Sequence, residues 1–434
     1  MDKMADVLGR AGAWCGQNKY LSAIKNAFQN FMPLTIAGAI GVLWCNVLVN
    51  ETTGLGMFFK PIMALDFLNP AFQAVNFCTI SCITVGITLG IAQEIGVWNM
   101  GAERAGYIPG LVGLAAWLSV TNTSHMVDGA KEAFTGIAGN ELGATGLFTG
   151  MIIGVLSVEL FCFFEKQDAL KIKMPEQVPP GVARAFEVLV PATITLIITA
   201  CIGSACYNLT GLYLNDVIKN GIQGPLGAVG ATIPGVMIIY LVIMLFWLVG
   251  IHGNNMLSAV KEALFTPLAL ENVEAFNKGE TPKNIINMYF LQMCGEFGGS
   301  GVTIGLVIAI MIFGKREDNK AIATLSLVPG LFNINETVTF GIPMVLNPIL
   351  GIPFVFACLV TILVGYVLTV IGFCPVACLT VPWTTPPIVF GFLACGANVM
   401  GAVTQAILIV VSTVIYVPFL ISYEKYQNKQ AAEA

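Results

Sequence analysis

From residue 355 to residue 373 the chain runs without one charged side chain, and it does so again from 146 to 164 with Glu159 as the single exception. A run of about 20 apolar residues is the length a helix needs to cross the hydrocarbon core of a bilayer. In lipid every backbone N–H and C=O must be satisfied within the protein, so only helices and closed barrels can span it. Barrel strands alternate apolar and polar residues, and these runs do not. Composition agrees with helices in lipid. Hydrophobic residues make up 56% of the 434 positions and charged residues 10%, where roughly a quarter charged is usual for a soluble domain. A water-soluble chain of this length must cover its surface with polar groups that this one lacks. The expected fold class is an all-α polytopic membrane protein, with about ten transmembrane helices plus re-entrant hairpins, in two halves.

Hydropathy places spans at 33–49, 74–92, 108–120 and 142–164, with an interfacial helix at 19–30 ahead of the first. Residues 1–30 carry Lys3, Arg10, Lys19 and Lys25 and no early apolar stretch, so no cleavable signal peptide is expected. The loop 165–187 carries Lys166, Lys171, Lys173 and Arg184 and is read as cytoplasmic. The N-terminus is read as cytoplasmic too, which agrees with an even number of crossings between them. The break EQVPPG at 176–181 is the best boundary, dividing the chain into 1–176 and 177–434. No internal repeat is visible.

The second half opens with spans at 188–207 and 227–251. A semi-polar stretch, 253–299, carries Lys261, Glu262, Glu271, Glu274 and Lys283, and a span ending at Phe313 precedes the charged turn KREDNK at 315–320. Placing that turn in the cytoplasm requires one more crossing within 253–299, at a position that the residues do not mark. Residues 325–350 are too apolar for a soluble loop. They are also too interrupted for a plain helix, by Pro329, Asn333, Asn335, Glu336, Pro343 and Pro348. Irregular backbone at membrane depth is tolerated only against protein or a watery cavity, so this segment is read as a re-entrant hairpin lining one. Spans at 355–373 and 399–421 follow, and a tail with Lys425 and Lys429 returns to the cytoplasm.

The net charge of −5 indicates no particular partner, and no basic patch suited to nucleic acid is present. Most of the 12 cysteines, among them Cys45, Cys78, Cys82, Cys162 and Cys201, sit in apolar runs as small hydrophobes. Cys374 and Cys378 come nearest to a pair, but no histidine accompanies them, so neither a metal site nor a disulfide is expected.

Chemistry concentrates in the second half. The segment WLVGIHGNN, from Trp247 to Asn255, holds His252, one of two histidines in the chain, beside Asn254. An imidazole at membrane depth is costly unless it has a partner or a pathway to serve, and its charge is adjustable near neutral pH. Its plain structural role would be a helix-terminal histidine bonded to a carbonyl. In FNINET, Asn335 precedes Glu336, the one acid between Asp318 and Glu424. Glu336 can accept a hydrogen bond from a hydroxyl or act as general base on it. The structural alternative is a buried carboxylate bonded to N–H groups of the hairpin. In GEFGGSGVT, Gly299 and Ser300 lie among glycines that let backbone approach a ligand, or that serve close helix packing with Gly301 and Gly305. Trp383, in PWTTPP, and Trp247 suit stacking on the apolar face of a sugar ring, or membership of the aromatic belt. In the first half, Glu94, Asn140 and Glu141 sit beside spans and could simply mark loop ends, while the spacings Gly86/Gly90 and Gly150/Gly154 point to close helix contacts, within or between subunits.

The segments WLVGIHGNN, GGSGVT at 298–303, FNINETVTFGIPMVLNP at 332–348 and PWTTPP at 382–387 resemble the signatures of the lactose/cellobiose/chitobiose family of phosphotransferase-system (PTS) component C subunits. The segment GATGLFTGMIIGVLSVE at 143–159 resembles the first-half motif of that family. The likeness covers nearly the whole chain and is strongest to the diacetylchitobiose-specific branch. The family pattern has proline after the hairpin glutamate, where this chain has Thr337.

The resemblance implies a multi-pass protein of the bacterial cell membrane with both termini cytoplasmic. It implies a homodimer, with 1–176 as dimer scaffold and 177–434 holding a β-linked disaccharide, diacetylchitobiose or cellobiose, between re-entrant hairpins. The sugar contacts implied are His252, Asn254, Gly299, Ser300, Asn335, Glu336, Trp247 and Trp383, with His252 and Glu336 facing the hydroxyl phosphorylated at C6. The phosphoryl donor is then a phosphocysteine on a separate component B, supplied in turn by component A. The chain acts within that complex and is not an enzyme on its own, and no cofactor or metal is implied. Broken helices with polar residues at the midplane also suit an ion-coupled secondary sugar transporter, which would need no component B. A channel would need a ring of filter residues, and none is seen.

Overall fold

Five helices among the described residues are long and apolar enough to cross a membrane: Lys19–Leu48, Ala144–Glu165, Pro180–Thr210, Gly351–Val370 and Val399–Glu433. Two helix pairs pass the same test together but are bent at a short break, Lys60–Ser81 with Ile83–Met100 by 42° and Met288–Val302 with Ile304–Phe313 by 59°. Ile108–Val120 and Ile233–Leu248 are shorter apolar helices. The structure, a computed structural model, describes residues 10, 13–14, 17–51, 55–125, 134–175 and 177–433; Lys3, Glu176 and the side chain of Asn140 lie outside that description. The expected helical polytopic membrane fold is found. A two-residue ladder, Ser124–His125 against Phe134–Thr135, is the sole β structure among the described residues.

The chain divides into two compact units, one of Gln17–Gly38 and Ala74–Gly227, the other chiefly of Ala39–Gln73 and Ala228–Ala434. The first contains most of α1 (Lys19–Leu43), with α2 (Ile83–Met100), α3 (Ile108–Val120), α4 (Ala144–Glu165) and α5 (Pro180–Thr210). Small residues let these helices approach closely, the packing mode of helices in lipid. Gly86 lies under the ring of Phe31 and Gly90 against Ala27, while Gly150 and Gly154 pack on Thr84 and Thr88 of α2. The GxxxG spacings thus make close helix contacts, and they make them inside this unit. Trp117, 1% exposed, packs with Ala116, Val120 and Ile153 at its centre. Glu94 does not mark a loop end: it lies within α2 and accepts from Asn26 Nδ2 at 2.9 Å. Glu141 lies in a short turn of helix, Gly139–Leu142, and is 9% exposed.

The second unit contains α6 (Ile233–Leu248), the short α7 (Gly253–Met256), α8 (Ser258–Asn277), α9 (Met288–Gly295), α10 (Ile304–Phe313), α11 (Glu317–Leu331), the short α12 (Glu336–Gly341), α13 (Gly351–Val370), the short α14 (Val389–Ala394) and α15 (Val399–Glu433). Thr232 caps α6, its hydroxyl accepting from Gly235 N, with Pro234 in the first turn where a missing N–H costs nothing. Asn287 caps α9 by accepting from the N–H groups of Tyr289 and Phe290. Helix α8 is the longest element of the semi-polar stretch; its 20 residues make it about 30 Å long. Lys261, Glu262, Glu271 and Glu274 on α8 explain why hydropathy does not mark it.

Two irregular segments of this unit bear on the site. Helix α11 ends at Leu331, Asn333 takes a positive φ of 63°, and α12 starts at Glu336, which is the expected break in 325–350. Thr337 is the second residue of α12. The N–H there has no intrahelical partner in any case, so proline and threonine are equally compatible with the position. The other irregular segment runs from the end of α13 to α14. Asn272 and Asn287 both donate to the carbonyl of Ala377, at 3.1 and 3.0 Å. At its far end Ile388 has φ 77°, an unfavourable region for a β-branched residue. Gln405 of α15 holds it there by accepting from Ile388 N at 2.7 Å and Gly391 N at 2.8 Å.

Candidate functional site

The turn after α6 carries His252. Gly253 sits where a Cβ would run into the backbone carbonyl of Ile243, so only glycine lets the chain fold back over its own helix here. His252 Nδ1 accepts from the N–H of Asn255 at 3.2 Å and so caps α7. A neutral imidazole whose Nδ1 accepts carries its proton on Nε2. Trp247 packs its ring on His252, with centroids 4.4 Å apart at 46°. The imidazole is therefore fixed from one side by a backbone donor and from another by an indole. It accepts from an N–H, where the plain structural role would have had it bonded to a carbonyl.

Nε2 faces the carboxylate of Glu336, with Oε1 at 3.7 Å, and the two side chains are 39% and 46% exposed. That distance is too long for a direct hydrogen bond. Glu336 makes no hydrogen bond within the described residues, so it is not the buried, backbone-bonded carboxylate that the structural alternative requires.

The residues around Glu336 hold its backbone in place. Asn335, 4% exposed, donates from Nδ2 to the carbonyl of Ser300 at 3.1 Å and to Thr339 Oγ1 at 3.0 Å. Gly299 has φ 87°, and a Cβ there would come within 2.6 Å of Asn335 Cβ. In the glycine-rich segment Gly299 makes room for Asn335, while Gly301 and Gly305 pack against Phe354 and Ser412, the close packing that was one of its two expected uses. Asn333 accepts from Gly298 N at 2.6 Å and donates to the carbonyls of Trp383 and Thr385, the latter at 3.1 Å. One asparagine thereby ties the glycine segment to the tips of both irregular segments. Leu346 N donates to Leu248 O at 2.8 Å, joining the chain beyond α12 to the end of α6.

Behind this lies a buried polar network. Asn254 Nδ2 donates to Ser300 Oγ at 2.9 Å, and its Oδ1 accepts from Lys261 Nζ at 3.1 Å. Lys261, 6% exposed, forms an ion pair with Glu296, which also accepts from the Tyr240 hydroxyl at 2.7 Å.

His252, Asn254, Gly299, Ser300, Asn335, Glu336 and Trp247 therefore form one connected group, and Trp383 joins it through its carbonyl. They divide by exposure. His252, Glu336 and the 44% exposed Trp383 present open surface, and Asn254 is half-buried. Gly299, Ser300, Asn335 and Trp247 are buried and shape the group from behind. Tyr240, Lys261, Glu296 and Asn333 belong to the same group, although the sequence singled out none of the four as a site residue. Lys261 is distant from Glu296 in the chain, so no helical spacing announces the pair. No cluster able to hold a metal ion occurs among the described residues.

Long apolar helices, interrupted by irregular segments whose tips converge on an open acid and imidazole, define a helical polytopic membrane protein with a polar site in its second unit. The sequence profile of the family described as Phosphotransferase system, EIIC matches residues 25–358, and the chain belongs to that family. It is 33% identical over 429 residues to the oligo-beta-mannoside-specific EIIC component of Bacillus subtilis (strain 168), covering 98% of this chain and 94% of that one. It is 31% identical over 418 residues to the lactose-specific EIICB component of Staphylococcus aureus (strain COL), covering 94% of this chain and 69% of that one. Its fold matches the crystal structure of the transporter ChbC, the IIC component from the N,N'-diacetylchitobiose-specific phosphotransferase system. The TM-score is 0.88, with 29% identity and 97% of both chains covered. This membership decides against the ion-coupled reading.

Proposed function

We propose that the chain binds a β-linked disaccharide, diacetylchitobiose or cellobiose, at the group around His252 and Glu336, carries it across the membrane, and presents its C6 hydroxyl to component B. The observation that carries this reading is an open carboxylate facing a fixed imidazole N–H at 3.7 Å. A hydroxyl oxygen fits between them at about 2.8 Å from each. It accepts from His252 Nε2–H and donates its own proton to Glu336. Substrate names among the relatives, oligo-β-mannoside, lactose and diacetylchitobiose, support a β-linked sugar. The name EIICB supports a component B partner.

Transfer then follows from these positions. Glu336 takes the proton as the sugar oxygen attacks phosphorus, the new O–P bond forms, and the S–P bond to the cysteine of component B breaks with its electron pair left on the thiolate. Component A re-phosphorylates component B. Trp383 supplies an open indole for the sugar ring, and the buried Trp247 holds the imidazole. Residues 177–434 carry the sugar site, 1–176 form the scaffold of a homodimer in the lipid bilayer, and both termini lie in the cytoplasm.

The test is Glu336→Gln in purified protein with phosphorylated component B. Sugar phosphorylation falls about 100-fold or more while the protein stays folded and still binds sugar. Transfer at the parent rate by this variant overturns the proposal. Direct binding of diacetylchitobiose, cellobiose and lactose then fixes the substrate.

A further inference from the structure

The reaction just described makes no use of Lys261 and Glu296, yet their pairing is costly to build. Lys261 is 6% exposed, and removing an ammonium from water carries a penalty of several kcal/mol before any partner repays it. The Tyr240 hydroxyl donates to Glu296 Oε1 at 2.7 Å, so the oxygen that meets Lys261 is held by a second donor as well. Well-packed apolar residues often fill such a space at equal or greater stability. The reason for an ion pair here therefore lies in what else it touches.

That contact is Asn254. Its amide carries an acceptor on one arm and two donors on the other. Lys261 Nζ lies 3.1 Å from Oδ1, so the reversed amide would set N–H groups against an ammonium. One N–H of Asn254 goes to Ser300 Oγ at 2.9 Å. The second makes no hydrogen bond within the described residues, and the residue is only half-buried.

We infer that Lys261, held by Glu296, is a positioning residue that locks Asn254 with a free N–H available to an acceptor oxygen of the sugar, a hydroxyl or an acetamido carbonyl. The inference rests on the reading that Asn254 faces bound sugar. Lys261 acts before the sugar arrives, by removing the amide orientation that would present an acceptor instead. Its loss therefore weakens affinity and leaves turnover of bound sugar unchanged.

The experiment uses the full-length protein with diacetylchitobiose and cellobiose as probes. It compares the single changes Lys261→Met and Glu296→Gln with both together, because either alone strands a buried charge. The paired variant melts near the parent temperature, binds sugar about tenfold more weakly and keeps its kcat with component B. Asn254→Ala shows a similar loss, and combining it with the paired variant adds no further loss, as expected for residues acting as one unit. If Asn254→Ala binds like the parent, the reading of the site itself fails. If Asn254→Ala weakens binding while the paired variant does not, the positioning role fails and the site stands. Additive losses break the link through Asn254. Asn254→Asp keeps the contact with Lys261 but removes both N–H groups, and serves if the paired variant does not fold. Parent affinity in that variant overturns the donor assignment.

Discussion

Glu165 in one unit and Glu336 in the other are treated in opposite ways. In the unit of Gln17–Gly38 and Ala74–Gly227, an acid at a helix end is satisfied several times over. Glu165, its side chain 3% exposed, meets Arg104 and Arg184 at 2.9 Å each, and both arginines also reach Glu187. Lys19 and Glu159 pair at 2.6 Å. The helices there are long, and glycines bring them together. In the unit carrying 228–434, helices stop at Leu248, Leu331 and Val370, and irregular backbone is held by buried asparagines and Gln405. One acid in this second region, Glu336, makes no hydrogen bond within the described residues. On the proposed reading, an acid left open beside a bilayer-spanning bundle is where something else binds. A group satisfied several times over marks structure.

That contrast can be broken most forcefully at Glu165. Glu165→Ala leaves two arginines facing a cavity and is expected to lower stability by about 3 kcal/mol, the usual cost of stripping one partner from a buried ion pair. The apparent melting temperature in detergent falls, while sugar affinity of the folded fraction stays within about twofold of the parent. A loss of affinity matching the loss of stability would erase the distinction between the units.

Glu336→Gln is the mirror experiment. Phosphorylation falls about 100-fold, near 2.7 kcal/mol in the barrier, with the melting temperature unchanged. A clear drop in melting temperature would return Glu336 to a structural role. A smaller effect is expected at Asn333, which ties both irregular segments together. Asn333→Ala orphans the N–H of Gly298 and frees the carbonyls of Trp383 and Thr385. Stability drops by about 1–3 kcal/mol and sugar binding weakens about tenfold. Binding that survives intact would show that Trp383 needs no such anchor. The smallest effect belongs to Lys278, on the surface and paired with Glu274 one turn away. Lys278→Ala changes neither melting temperature nor affinity measurably.

Much of the molecule was legible before any coordinates. Charge-free runs identify crossings because lipid accepts nothing else, and they do so at 355–373 without reference to neighbours. The break at Asn333–Glu336 was legible too, since asparagines and an acid are costly in a lipid-facing helix. Helix α8 was not legible as a helix of the bundle. Its Lys261 reads as a solvated charge until Glu296, brought from a different helix break, is seen beside it. Trp247 and Trp383 looked alike in sequence, yet one is 2% exposed and the other 44%.

By itself the sequence determined the class of molecule, its helical spans and the few polar side chains too costly to be accidental, because hydration energies are properties of each residue. Tertiary structure alone decided which of those side chains are open and which are satisfied. Hydrogen bonds and ion pairs between residues far apart in the chain depend on where the folded backbone places them. That is why Glu336 emerged as the open acid and Lys261 as the silent support behind Asn254.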